Sequence, residues 1–244
     1  MKETKWKFKG HNMNFLDVNT ADFPESKELL EIIDESKKKE LKQIFEDGLT
    51  INYEHYKKYL FESNFFMFKD LEDNIKESVH CLIIGSFIAS ITNTNLILER
   101  AIKLALIQYE AGGLSNFDDE KIIEKYIKAD EVYSGKSLDK NIQKCIKYNI
   151  LNSEESQELK EYKLKFRDGF SHFTPKNILK GESKMISIPL DSQNSKMERH
   201  LKMPTYQAKE VKMFARQNAE AHLKYVLGII NHLQYKVLEK FKQA

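Results

Sequence analysis

The residues best suited to chemistry lie together in Arg167-Asp168-Gly169-Phe170-Ser171-His172. Cleaving an RNA phosphodiester without a metal has three requirements. The 2′-hydroxyl must lose a proton, the pentavalent phosphorus must be stabilised, and the leaving 5′-oxygen must gain a proton. Imidazole titrates near neutrality and serves either transfer. Guanidinium stays charged, and its planar fork matches two phosphate oxygens. Arg167 and His172 are therefore the candidate catalytic pair, with Asp168 beside them to orient one or the other. Ser171 offers a further hydrogen bond to phosphate, and Lys176 and Lys180 follow as candidate substrate contacts. The chain uses 35 lysines and 4 arginines, so arginine is an unusual choice here.

Spacing alone does not single out this pair, five apart, because Arg216 and His222 stand a similar six apart on what reads as an unbroken helix. Arg167 differs in sitting where a charged helix runs out, with Gly169 and Pro175 nearby. Side chains can project from an irregular backbone there. A structural reading stays open beside the chemical one: Arg167 in a surface ion pair, and His172 closing the helix.

Long helices must position these residues. Nine glycines and four prolines in 244 residues are too few for a many-turned sandwich, and 41% hydrophobic content supplies a core. Residues 1–24 are aromatic without a clear period and read as an arm or a short strand pair. Pro24 opens a helix to about Asp47, which Gly48 ends, and the run Lys37-Lys38-Lys39 reads as a solvated face. A second helical stretch spans Tyr53 to Phe68, its aromatics spaced for core packing rather than base stacking. Residues 71–111 form the central helix, with Thr92-Asn93-Thr94-Asn95 set to kink or divide it and Gly112-Gly113 to terminate it. Shorter helices follow at about 119–133 and 137–148. Asn152 or Ser153 caps the helix that leads to Arg167. Residues 173–205 hold three of the four prolines. They read as a long irregular insertion with one strand at 185–190, and the final helix runs from about 205 to 241.

Other constellations carry less. Gly135-Lys136-Ser137 lacks the upstream glycine of a phosphate loop, since position 130 is Asp130. Asp118-Asp119-Glu120 suits a helix N-terminus better than a cation loop. His222 and His232 are too far apart along one helix for a metal pair, and His80 and Cys81 read as packed or surface residues. No metal or cofactor site is expected. Cys81 and Cys145 share no redox or metal spacing and read as reduced thiols of a cytoplasmic protein. The N-terminus has no apolar run of a secretory signal, and Val79–Ile91 is too short to span a membrane. A formal charge of +2 does not by itself demand a nucleic-acid partner. Lys176, Lys180, Lys184, Lys196, Arg199, His200 and Lys202 nevertheless make the insertion locally basic, as an RNA-closing loop or an ordinary solvated one.

The stretch Leu159–Pro175, LKEYKLKFRDGFSHFTP, resembles the signature of HEPN-domain proteins: Arg, a polar residue, about three variable residues, then His. Leu98-Glu99-Arg100-Ala101-Ile102-Lys103 resembles the family's early helix. The resemblance covers about residues 78–240 and leaves 1–70 outside it. It implies an all-α, antiparallel helical bundle of HEPN type over 71–244, with residues 1–70 as an arm and helical extension and the irregular insertion 173–205 before the last helix. It further implies a metal-independent endoribonuclease in a toxin–antitoxin, phage-defence or RNA-processing setting. Arg167 and His172 would be catalytic and Asp168 supporting. The expected partners are RNA, a second copy forming a composite cleft, and an antitoxin or regulatory protein. The family also has members without nuclease activity, so a noncatalytic binding module of the same fold is the alternative.

Overall fold

The structure, a computed structural model, describes residues 25–61, 65–112, 119–179 and 204–242. It divides into two compact units, one ending at Glu46 and the other beginning at Asp47. Every regular element among the described residues is helical, so the fold is all-α. The expected strand at 185–190 and the arm 1–24 lie outside the described residues. No helix among the described residues is long and apolar enough to cross a membrane.

Helix α1 (Glu25–Asp47) carries the first unit. Its lysine run is exposed and paired locally, Lys37 to Glu40 at 2.6 Å and Lys38 to Asp34 at 2.8 Å. Such exposed pairs contribute little.

In the second unit Gly48 does not end the helical backbone as expected, because Gly48–Asn52 forms a π-turn. The glycine is needed for close approach. A Cβ there would sit 2.7 Å from the carbonyl oxygen of Ile83, which also accepts from Asn52 Nδ2 at 2.8 Å. The expected helix over 53–68 is instead two short pieces, α2 (Tyr53–Tyr56) and α3 (Lys58–Phe61). Residues 65–68 are not helical, although Phe65 and Phe68 are buried in the core as their type suggests.

The central helix is divided, but not where the sequence suggests. Helix α4 (Glu72–Ile83) and helix α5 (Phe87–Ala111) are separated by Gly85, which takes φ +74°. Ser86 N–H donates to the carbonyl of Cys81 and Gly85 N–H to that of Leu82. These are the two bonds of a Schellman closure. Thr92–Asn95 stays helical, because its polar groups find partners within the helix and across the core. Thr92 Oγ1 donates back to the Ile88 carbonyl, and Thr94 Oγ1 meets Ser78 Oγ at 2.7 Å. Gly112, at φ +99°, closes α5 as expected.

Helix α5 is the axis of the core, with Ile91, Ile97, Leu98, Ala101, Ile102, Ala105 and Leu106 all essentially inaccessible. Around it pack α4, α6 (Glu120–Ser134), α7 (Leu138–Lys147) and the last helix. Helix α8 (Ser153–Tyr162) starts from a capping box, Asn152 with Glu155, which is the expected cap. It passes into a π-turn (Lys163–Asp168) and then α9 (Gly169–Ser171). Inside the stretch expected to be irregular lies one short helix, α10 (Pro175–Leu179), with Pro175 at its first position. Residues 180–203 are outside the described set. Helix α11 (Pro204–Lys242) buries Val211, Ala215, Ala219, Leu223, Val226, Ile230, Leu233 and Val237, a stripe at helical period.

Candidate active site

Arg167 does not stand where a helix runs out. Backbone from Ser153 to Ser171 is helical throughout, and Gly169 has helical φ of −61°. The glycine serves packing instead, since a Cβ on it would lie 2.7 Å from Cγ1 of Ile178 in α10. The irregular feature at the motif is the π-turn itself. Turns of this kind insert an extra residue into a helix and recur at functional sites. The π-turn at Gly48–Asn52 lies outside the motif, so the feature alone does not mark chemistry.

Asn95 fastens the turn. Its Nδ2 donates to the carbonyl of Phe166 at 3.1 Å from within α5, and Asn95 is 2% exposed. On the other side Phe166 stacks on His222 of α11 at 4.5 Å between ring centroids. Tyr162 stacks there too and hydrogen-bonds through its hydroxyl with Nδ1 of His222. Burial drives the His222 imidazole down to about 3, so it is neutral, and burial raises the Tyr162 hydroxyl above its ordinary range. His222 is thus a packed residue beneath the motif.

Arg167 lies in an alternating chain of charges. Its Nη1 donates to Asp168 Oδ1 at 2.9 Å, and its Nη2 stands 3.7 Å from Glu99 Oε2. Glu99 also takes Lys103 at 3.1 Å. On the far side Asp168 meets Lys163 at 3.2 Å, and Lys163 meets Asp139 at 2.9 Å. Three helical segments therefore supply three cations and three anions: α5, the π-turn and α7. The hydrogen bond it donates to Asp168 raises the Arg167 guanidinium further above its ordinary value. Burial alone would raise the Asp168 carboxyl, but bonds from Arg167 and Lys163 outweigh it and hold the group below its usual range. Arg167 keeps about one third of its side chain exposed (32%).

His172 stands outside this chain. It is exposed, and among the described residues its side chain makes no hydrogen bond or ion pair. It is the C-cap residue, inside a Schellman closure: Thr174 N–H donates to the Gly169 carbonyl at 2.7 Å, and Phe173 N–H to that of Phe170. The same closure ends α4 at Gly85 and α7 at Asn149. At those two ends the left-handed position holds residues that tolerate it. At the motif it holds Phe173, at φ +45°. A side chain there is disfavoured by roughly 1–2 kcal/mol, and such strain gathers at functional sites.

Arg167 thus lies against its neighbour Asp168, and its ion pairs together with the place of His172 at the C-cap match the structural reading, while the His172 side chain is solvent-exposed. The structure adds Glu99, Lys163 and Asp139 as ionic partners and Asn95 as a support. Only Glu99 had a signal, in the Leu98–Lys103 stretch. Ser171 and Lys176 are exposed beside the motif, and Lys180 lies outside the described residues. A groove of about 510 Å³ runs between α8 and α11 past Leu151, Leu159, Tyr225 and Ile229, and neither Arg167 nor His172 lines it. Among the described residues no group of His, Cys, Asp and Glu is arranged to hold a metal.

The fold and site define an all-α bundle with an exposed imidazole and an ion-paired guanidinium on one helical run. No protein-family model, no curated protein and no solved structure matches the chain.

Proposed function

We propose that this protein is a HEPN-type, metal-independent endoribonuclease of the cytoplasm. The observation that carries this reading is His172. It is exposed and without a polar partner among the described residues, on a strained helix end that directly follows the arginine-bearing turn. In the proposed reaction the substrate 2′-oxygen attacks phosphorus and the 5′-oxygen departs, leaving a 2′,3′-cyclic phosphate. His172 transfers the protons. Arg167 turns its fork from Asp168 and Glu99 to the phosphate, where charge develops. Ser171, Lys176 and Lys180 contact the RNA backbone. A second copy completes the cleft, in keeping with the absence of Arg167 and His172 from the groove between α8 and α11.

A second reading has its own support. With the charges around Arg167 balanced three against three, the guanidinium is already neutralised. That suits a noncatalytic helical module or a regulatory partner in a defence or toxin–antitoxin system. The deciding experiment is cleavage of single-stranded RNA in EDTA, with the product ends identified. Activity lost in both Arg167→Ala and His172→Ala, and restored in a mixture of the two, supports the shared-site nuclease. Absence of cleavage, or cleavage that survives both changes, ends it in favour of the second reading.

A further inference from the structure

We propose that His55 and Arg216, set around the Glu220–Lys58 ion pair where α2 and α3 meet α11, bind a phosphate group at a site separate from Arg167. The inference does not rest on RNA cleavage.

Glu220 receives three donors. His55 Nε2 lies 2.7 Å from Oε2, the Tyr59 hydroxyl donates to Oε1 at 2.8 Å, and Lys58 Nζ lies 3.1 Å from Oε1. Burial alone would raise the carboxyl, but these donors outweigh it and hold Glu220 below its ordinary range, so it is a fixed anion. Tyr59 and Lys58 already suffice to tie the α2–α3 segment to α11. The imidazole of His55 is surplus to that tether: its side chain is 56% exposed, and Nδ1 has no partner among the described residues. Glu220 fixes the ring through Nε2, and Tyr56 packs edge-on against it at 4.7 Å. An imidazole held this way presents Nδ1 in one orientation, and in its doubly protonated form that nitrogen donates to a phosphate oxygen.

Arg216 supplies the cation. It lies four residues before Glu220 on α11, a spacing that puts both on one helix face. Its charge reaches Tyr56, the ring beside His55. The described arginines differ sharply in their commitments. Arg100 is paired with Asp130 and Arg167 with Asp168 and Glu99. Arg216 is exposed and has no carboxylate within 4 Å among the described residues. Lys58 balances Glu220, so the Arg216 charge is left uncompensated. A guanidinium fork with no carboxylate partner and an oriented imidazole, with Lys58 offsetting the charge of Glu220, are the parts that grip phosphate oxygens. The same chemistry serves a phosphate of an RNA backbone and one of a small phosphorylated molecule.

The test follows the His55 ring by NMR in the full-length protein, with His55→Gln identifying its signal. Inorganic phosphate and a short single-stranded RNA are titrated separately. The expected result is a saturable shift of the His55 signal that Arg216→Ala weakens about tenfold or more and Arg216→Lys only partly restores. If RNA is the source, Arg216→Ala also lowers RNA affinity and reduces its salt slope by about one. If a small phosphate is the source, inorganic phosphate moves the signal and RNA affinity is unchanged. No saturable shift with either probe, or a shift indifferent to Arg216→Ala, overturns the site. Cleavage reads Arg167 and His172 whereas this shift reads His55, so the two proposals fail separately.

Discussion

Glu99 Oε2 stands 3.7 Å from Nη2 of Arg167, which joins the two stretches of sequence that carry the HEPN resemblance. The contact lies between α5 and the π-turn, at the motif. It makes Glu99 a competitor for any phosphate that Arg167 would bind. Glu99→Gln keeps the shape and removes the charge. It is expected to tighten RNA binding several-fold, measured by fluorescence anisotropy at fixed salt, with little change in Tm because the pair is loose and partly exposed. Unchanged or weaker RNA binding would argue that Arg167 is purely structural.

His172 offers a cleaner separation of roles. Its side chain is exposed and makes no hydrogen bond or ion pair among the described residues. His172→Ala should therefore alter stability by no more than about 0.5 kcal/mol in denaturant titrations, while RNA cleavage is lost. A fall of several degrees in Tm would show instead that the imidazole holds the helix end.

Much of the scaffold could be read in the residue pattern. The buried stripe of α11, the capping box at Asn152 and the closing glycine Gly112 follow from local rules, and all three appear as expected. What escaped the sequence are relationships across long separations. The polar run Thr92–Asn95 resembles a helix breaker only while its partners Ser78 and Phe166 are unknown. Asp139, Lys163 and Glu99 look like ordinary surface charges until α5, α7 and the π-turn are packed together. Phe173 at a left-handed position is invisible to a rule that seeks glycine or asparagine.

Asn95 tests whether the π-turn matters. Its amide to the Phe166 carbonyl is a buried side-chain bond within the core around the motif. Asn95→Leu fills similar volume but withdraws the donor. The expected loss is about 1–3 kcal/mol of stability, read from denaturant unfolding. If the turn aims Arg167, cleavage measured well below the unfolding midpoint falls by more than the folded fraction accounts for. A decrease in activity that tracks only the folded fraction would reduce Asn95 to a core-packing role.

His222 gives the chain an acid-sensitive element. Its imidazole is driven by burial to about 3 in the folded protein, against roughly 6.5 when exposed. The unfolded chain therefore takes up the proton first as pH falls. The stabilisation from a neutral His222 is complete above about pH 6.5 and is lost as pH drops from there toward 3, by up to about 1.4 kcal/mol per pH unit. His222→Gln stays neutral at every pH and should flatten this slope when urea unfolding is compared at pH 7 and pH 5. Asp168, held below its usual range, acts at the acidic end of that interval. Equal slopes in the two proteins would mean that His222 already carries its proton in the folded state, and that the Tyr162–His222–Phe166 stack accommodates an imidazolium.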